Sequence, residues 1–451
     1  MATRVLVPAG VLGLGFDSAA LARGIANNPD IIAIDGGSTD SGPFYLGTAT
    51  SKYSRATTKS QWRELMQARA QANVPLVIGS CGTAGTDATV DWMYHITAEI
   101  GAESGQRVRV ARVYSEQTVS ALQAALQNGR LHALIPAPHL DNDALASCVH
   151  VVALAGAEQI GTALDSGADI VLAGRATDTA TISALPLLRG EHPGAAWHGA
   201  KIAECGALCS THPTSGVVQV EFDTNGFTVA PLAARARCTP HSVSAHMLYE
   251  NSDPYILLEP GGHLDVSAAQ YVALDDKQVR VTGSQWIPDS RYTVKLEGAR
   301  IAGYQTTMLA LLRDPRYVAN AREWTARLHE FLLGEIRAGM ALHAGEYTLE
   351  FRLIGMNAAL GGLETIDALP AEVGVLAIIT AASQETAAEI ASLANPWLLH
   401  FPLTEDEELP TFAFPYSPAQ TDRGPLYEFC LNHVLELDDP MSAFRLEVDE
   451  I

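Results

Sequence analysis

Five times within its first 180 residues the chain runs an apolar, strand-like stretch straight into a turn crowded with glycine, small hydroxyl or acidic residues. The stretches are Val5–Gly10, Ile31–Asp35, Leu76–Ser80, Ala133–His139 and Ile170–Arg175. Between them the apolar positions follow helical spacing. Residues 58–72 place Trp62, Leu65, Met66 and Ala70 on one face and stop before Pro75. Residues 115–127 open on Ser115 as N-cap and repeat Val119, Leu122 and Leu126, and 157–166 form a helix stopped by Gly167. Val108–Val113 and Val149–Leu154 read as further strands. The order strand, polar turn, helix predicts a parallel sheet whose turns collect at its carboxyl edge, where open α/β proteins bind ligands.

After about residue 215 the texture changes. Val217–Phe222, an Asn225-Gly226 turn and Phe227–Val229 predict a β-hairpin. Residues 318–338 predict one amphipathic helix carrying Trp324, Leu328, Leu332 and Ile336. A strand at 347–353, a strand at 373–380 and a helix at 385–394 follow, and the tail past 404 is expected to wrap over the surface. The expected fold is therefore α/β: a parallel doubly wound sheet in a domain of residues 1–215, then an α+β domain of residues 216–451 with the tail. A closed α/β barrel is the alternative.

Composition narrows the function classes. With 47% hydrophobic and 18% charged residues the chain is an ordinary globular protein. Its formal charge of −22 argues against a nucleic-acid partner. No stretch approaches a membrane span or a signal peptide, and six cysteines over 451 residues make no disulfide framework, so a cytoplasmic protein is expected. A small-molecule substrate and a homo-oligomer are the expected partners. No cofactor is identified.

Candidate chemistry gathers on the turns. Arg175, just beyond a strand and close to Asp178, has the placement of an anion clamp. Gly10, Gly36, Gly37, Ser38, Thr39 and Thr83 lie in turns that could present N–H groups to a carboxylate or phosphate. The alternative for each is a tight βα turn. Asp35 ends an apolar strand, where burial would suit it to proton transfer, and Asp40 is its neighbour in the same turn. Cys81, past the third strand, is a candidate nucleophile, with His139 or His246 as a base approaching in space. Cys205, Cys209, His212, Cys238 and His241 have a metal-like look, but Cys-x3-Cys-x2-His is not an established ligand spacing, and no metal site is expected. Glu204 is read instead as an acid or base. His246 and Glu250 share a helical face, and Tyr249 could donate to an oxyanion.

Several segments together resemble the acyclic terpene utilisation (AtuA) family. They are the opening glycine turn with Phe16-Asp17, Asp169–Asp178, Ile202–Ala207, Val243–Pro254 and Val294–Gly298 with Gly303-Tyr304, in order over roughly residues 5–310. The resemblance implies a catabolic protein acting on branched or small organic acids or their CoA thioesters, without an established mechanism. Only the resemblance adds a small companion protein to the expected partners. The block Asp35–Pro43 departs from the family pattern, so a terpenoid substrate does not carry over.

The residues lead to a lyase or hydratase. Arg175 and the glycine turns would bind a carboxylate, Asp35 or Asp40 would move the α proton, and Glu204 or His246 would serve the leaving group. The alternatives are a hydrolase using Cys81 or Ser80, and a non-catalytic accessory subunit.

Overall fold

The computed structural model describes residues 2–451, apart from the side chain of Ser215. The chain is a mixed α/β protein, with thirteen α-helices among those residues. It divides into two compact units. One comprises the residues up to Arg300 together with Phe429–Ile451, the other Ile301–Glu428.

In the first unit the strands begin with β1 (Thr3–Val7), β2 (Ile31–Asp35), β3 (Leu76–Gly79) and β4 (Arg109–Tyr114). They continue with β5 (Leu131–Ala133), β6 (Cys148–Ala153), β7 (Ile170–Ala173), β8 (Val218–Asp223) and β9 (Gly226–Pro231). Five of them pair in parallel, in the order β1-β2-β3-β7-β4. The strands β2, β3 and β7 are buried at every position, which is why they are apolar throughout and do not alternate.

Alternate residues serve two cores. Val5, Val7, Ile31, Ala33, Val77 and Val171 pack on one side with residues of α7 (Ala157–Asp165), α8 (Ala180–Leu188) and α9 (Pro193–Ala203). Leu6, Ile32, Ile34, Ile78 and Leu172 pack on the other with residues of α1 (Ser18–Ala26), α3 (Arg55–Ala72) and α4 (Asp87–Ser104). Between these lie α2 (Phe44–Thr48), α5 (Val119–Gln127) and α6 (Asn142–Ser147), and α10 (Pro240–His246) follows.

The texture change after 215 extends this same sheet. The β8–β9 hairpin turns at Asn225-Gly226 and pairs antiparallel with β1, and strands at Val279–Thr282 and Gln270–Ala273 follow outward. At the opposite edge the last strand, Arg445–Glu450, pairs antiparallel with β4. The sheet is thus a ten-stranded open path rather than a closed barrel.

Two expected members of the parallel set lie elsewhere. The run from Ala133 is broken by Pro136 and Pro138, which lack the N–H a ladder needs, so β5 ends at Ala133 and pairs with His433–Leu437. The strand β6 pairs antiparallel with Leu296–Arg300. Ser115 is not a helix cap: Thr118 caps α5, and Ser115 Oγ accepts the Arg175 N–H at 2.6 Å.

In the second unit, Tyr304–Leu312 pairs with Val373–Ala381, which pairs in turn with Tyr347–Ile354, all antiparallel. Helices Ala321–Met340 and Gln384–His400 join its core through Trp324, Leu328, Leu332 and Ile336, and through Ile390 and Ala394. Among the described residues no helix is long and apolar enough to cross a membrane.

Candidate functional site

A cavity of about 500 Å³ opens within the first unit, at the carboxyl ends of β1 and β2 and beside the turn after α9. That volume is in the range of small-molecule pockets. Its walls include Gly10, Asp35, Gly37, Ser38, Asp40, Lys52, Tyr53, Thr83, Asp178, Glu204, Cys205, Tyr249 and Glu250. Close backbone packing brings these distant segments together. A Cβ at Gly10 would lie 2.9 Å from the Cys205 Cα, and one at Gly85 would lie 2.1 Å from the Arg175 nitrogen. A larger hollow, about 750 Å³, has the exposed pair Arg4–Glu221 in its wall. The smaller cavity is the one that collects buried ionisable groups.

Asp35 is a wall residue with a buried side-chain oxygen that has no partner. It is 6% exposed, Oδ2 accepts the Gly37 N–H at 3.1 Å, and Oδ1 has no partner. Burial, then the charge of Asp178, raise its pKa well above the usual carboxylate value, against the pull of Arg175. Asp178 is raised as well, chiefly by burial. Asp40 is exposed and accepts from Ser38 Oγ at 2.5 Å.

Arg175 does not face the cavity as an open clamp. Its Nε donates to Glu297 Oε2 at 3.0 Å, and Nη1 donates to Ser80 Oγ and the Ala176 carbonyl, each at 3.0 Å. Asp178 Oδ1 lies 3.5 Å from Nη1. Burial opposes the charge, but Glu297 and then Asp178 hold the guanidinium pKa above its ordinary value. Glu297 also accepts from Thr39 Oγ1 at 3.0 Å, which ties the β2 turn to this pair.

The glycine turns likewise bond to themselves. The Gly36 N–H donates to the Gly79 carbonyl at 2.8 Å, and the Thr83 N–H to the Gly36 carbonyl at 3.1 Å.

Glu204 lies at the end of α9, and Lys201 Nζ donates to its Oε1 at 2.5 Å, both side chains being buried. Burial raises the Glu204 pKa well above its usual value, Lys201 opposes that, and Asp178 adds to it. His246 ends α10, with its ring stacked on Tyr249 at 5.4 Å. Burial, then Lys201, lower its pKa to about 4. Glu204, Cys205 and His246 each offer a metal-ligating atom, all within 4.8 Å of one another.

The other cysteine readings find no support in the geometry. Cys81 is fully buried in the apolar core, where burial and then Asp35 push its thiol pKa well up, away from the thiolate a nucleophile needs. His139 is exposed and lies 3.3 Å from Asp141. Cys209 and Cys238 are buried in one core with a hydrogen bond between them, while His212 and His241 are exposed. Sequence reasoning missed Lys52, Tyr53, Lys201 and the part played by Glu297. Lys201 was discoverable only as a cation three residues before Glu204, since no helix was expected there. Glu297 stood between Leu296 and Gly298 in a buried strand.

The chain matches the family described as "Acyclic terpene utilisation family protein AtuA" over residues 45–404. The chain belongs to this family. The family is implicated in acyclic terpene utilisation, a catabolic role. The match reaches well into the second unit, and it begins after the Asp35–Asp40 turn. No curated protein and no solved structure matched significantly.

Proposed function

We propose that the protein is a lyase or hydratase whose substrate presents an uncharged reacting end, as a small acyl-CoA thioester does. The observation that carries this reading is Asp35: a buried carboxyl on the cavity wall with one oxygen lacking any partner. A carboxyl held at a raised pKa is matched to taking and returning a proton near neutral pH. The charge of the walls favours the thioester over the free acid. Asp35, Asp40 and Glu250 face one exposed lysine, Lys52, whose Nζ bonds Ser41 Oγ at 2.8 Å, while Glu204 is paired with Lys201. A free carboxylate in that setting would be repelled, because Arg175 is already neutralised by Glu297.

In the dehydration direction, Asp35 removes the proton α to the thioester carbonyl. The C–H electron pair becomes the C=C bond, and the β C–O bond breaks. The departing hydroxide takes a proton from Asp178 and leaves as water. Hydration runs the same steps in reverse. Arg175 and Glu297 act as positioning residues that fix the turns bearing Asp35 and Asp178.

The test is exchange of α protons with deuterated water, followed by NMR, across small hydroxyacyl- and enoyl-CoA thioesters and their free acids. The parent protein should exchange a thioester proton, and Asp35→Asn should slow this by about 100-fold or more. Exchange undiminished in Asp35→Asn would refute the reading. So would a parent protein inert toward the whole panel, which would favour an accessory subunit.

A further inference from the structure

Glu204 and Cys205 are adjacent in sequence, yet their side chains converge because α9 ends there. Glu204 keeps helical dihedrals, Cys205 leaves them at φ −92°, ψ 21°, and Gly206 turns the chain at φ +60°. The last residue of α10, His246, comes against this corner. A carboxylate oxygen, a thiol sulfur and a ring nitrogen thus lie within 4.8 Å of each other. In a tetrahedral shell with bonds of about 2.0–2.3 Å, donors stand roughly 3.3–3.8 Å apart, so these need to close by about 1 Å.

A second observation points to a ligand. His246 is 6% exposed, and its Nε2 is buried with no hydrogen-bond partner. Such an atom is costly to bury unless something completes it. Lys201 does not fill that role: its Nζ donates to Glu204, and no hydrogen bond joins it to the ring. The surrounding wall carries Asp40, Asp178 and Glu250, a field that favours a cation even beside Lys201.

We propose that Glu204, Cys205 and His246 bind a zinc-class dication. Imidazole, thiolate and carboxylate together suit borderline metals rather than magnesium or calcium. Three protein donors leave a fourth position toward the cavity, where a substrate oxygen or water can bind. Binding converts the Cys205 thiol to a metal-bound thiolate and releases its proton to solvent. The metal site does not depend on the lyase chemistry.

The test uses the full-length protein, stripped with chelator and titrated with Co²⁺ and Zn²⁺ in the absence of any substrate. One equivalent of Co²⁺ should bind with a thiolate-to-cobalt charge-transfer absorption, and Zn²⁺ should displace it. Cys205→Ser should lose that absorption, and His246→Ala should weaken binding at least about 10-fold, with both folds checked by circular dichroism. Failure of the parent protein to bind stoichiometrically would overturn the proposal. So would a cobalt spectrum without the thiolate band, or one that persists in Cys205→Ser. No turnover is measured, so failure here leaves the Asp35 experiment untouched, and the reverse holds too.

Discussion

The pair Arg175–Glu297 separates a structural from a ligand-binding role for the arginine. Both side chains are nearly inaccessible, at 7% and 9% exposure, and the guanidinium bonds Glu297, Ser80 and the Ala176 carbonyl. Glu297→Gln preserves shape but removes the countercharge, and its amide would turn N–H donors toward Arg175 or Thr39. Removing one partner of a buried pair costs about 3–5 kcal/mol. Asp178, 3.5 Å from Nη1, supplies partial compensation, so about 3 kcal/mol is expected. With an unfolding entropy of about 2.1 cal/mol/K per residue, a unit of this size should melt about 4–5 °C lower. Thermal melts followed by circular dichroism read the shift. The double variant Arg175→Met with Glu297→Leu should recover much of the loss, because no unpaired charge stays buried. If Glu297→Gln melts with the parent protein and loses only ligand affinity, the structural role is refuted and Arg175 is available to ligands.

Asp35 makes a pH prediction of definite sign. Its folded pKa is raised, so the native state holds the proton more tightly, and its contribution to stability is complete below the unfolded carboxylate pKa and lost as pH rises through the raised value. Asp35→Asn should therefore gain stability relative to the parent as pH increases from 4 toward 8, in urea midpoints, while losing activity; a gap independent of pH would contradict this. Cys148 Sγ and Cys430 Sγ lie 2.9 Å apart as free thiols. Mild oxidation should join them with loss of two hydrogens by mass and stabilise the chain by about 2–4 kcal/mol; two thiols still free after oxidation, or a disulfide that lowers the melting temperature, would count against their fit.

The parallel core was legible because β1, β2, β3 and β7 bury both faces, and continuous apolar runs ending in small-residue turns mark such strands. The antiparallel flanks were not, because a hairpin such as β8–β9 reads the same whether it opens a new domain or pairs with β1. The last strand, Arg445–Glu450, is charged and partly exposed, so nothing in its composition marks it as the edge partner of β4. Within the site, the strand-end rule located Asp35 and Asp178. It mistook the state of Arg175, since its partner Glu297 lies 122 residues away on a strand outside the parallel set, where spacing gives no sign of the pairing. His246 and Glu250 were expected on one helical face, but α10 ends at His246 and Glu250 lies beyond it at φ +53°; the ring's ligating company is Glu204 and Cys205. Proximity of that kind depends on how α9 and α10 meet.

The charge in the cavity constrains what it accepts more firmly than any one residue does. Two buried cations stand near it, and both are tied to carboxylates: Arg175 to Glu297 and Lys201 to Glu204. What remains on the walls is acidic, so an anionic reacting group would enter only against repulsion at short range in a partly desolvated space. Two solutions satisfy this field. Either the reacting end is neutral, with any charged portion left outside, or a dication at Glu204, Cys205 and His246 changes the sign of the local potential and holds a carbonyl or carboxylate oxygen. The two are compatible, because a metal that polarises a thioester carbonyl would acidify the α proton that Asp35 is placed to remove. They separate experimentally in one comparison. If metal loading leaves binding of a free hydroxy acid as weak as in the stripped protein, the neutral reacting end alone explains the acidic walls.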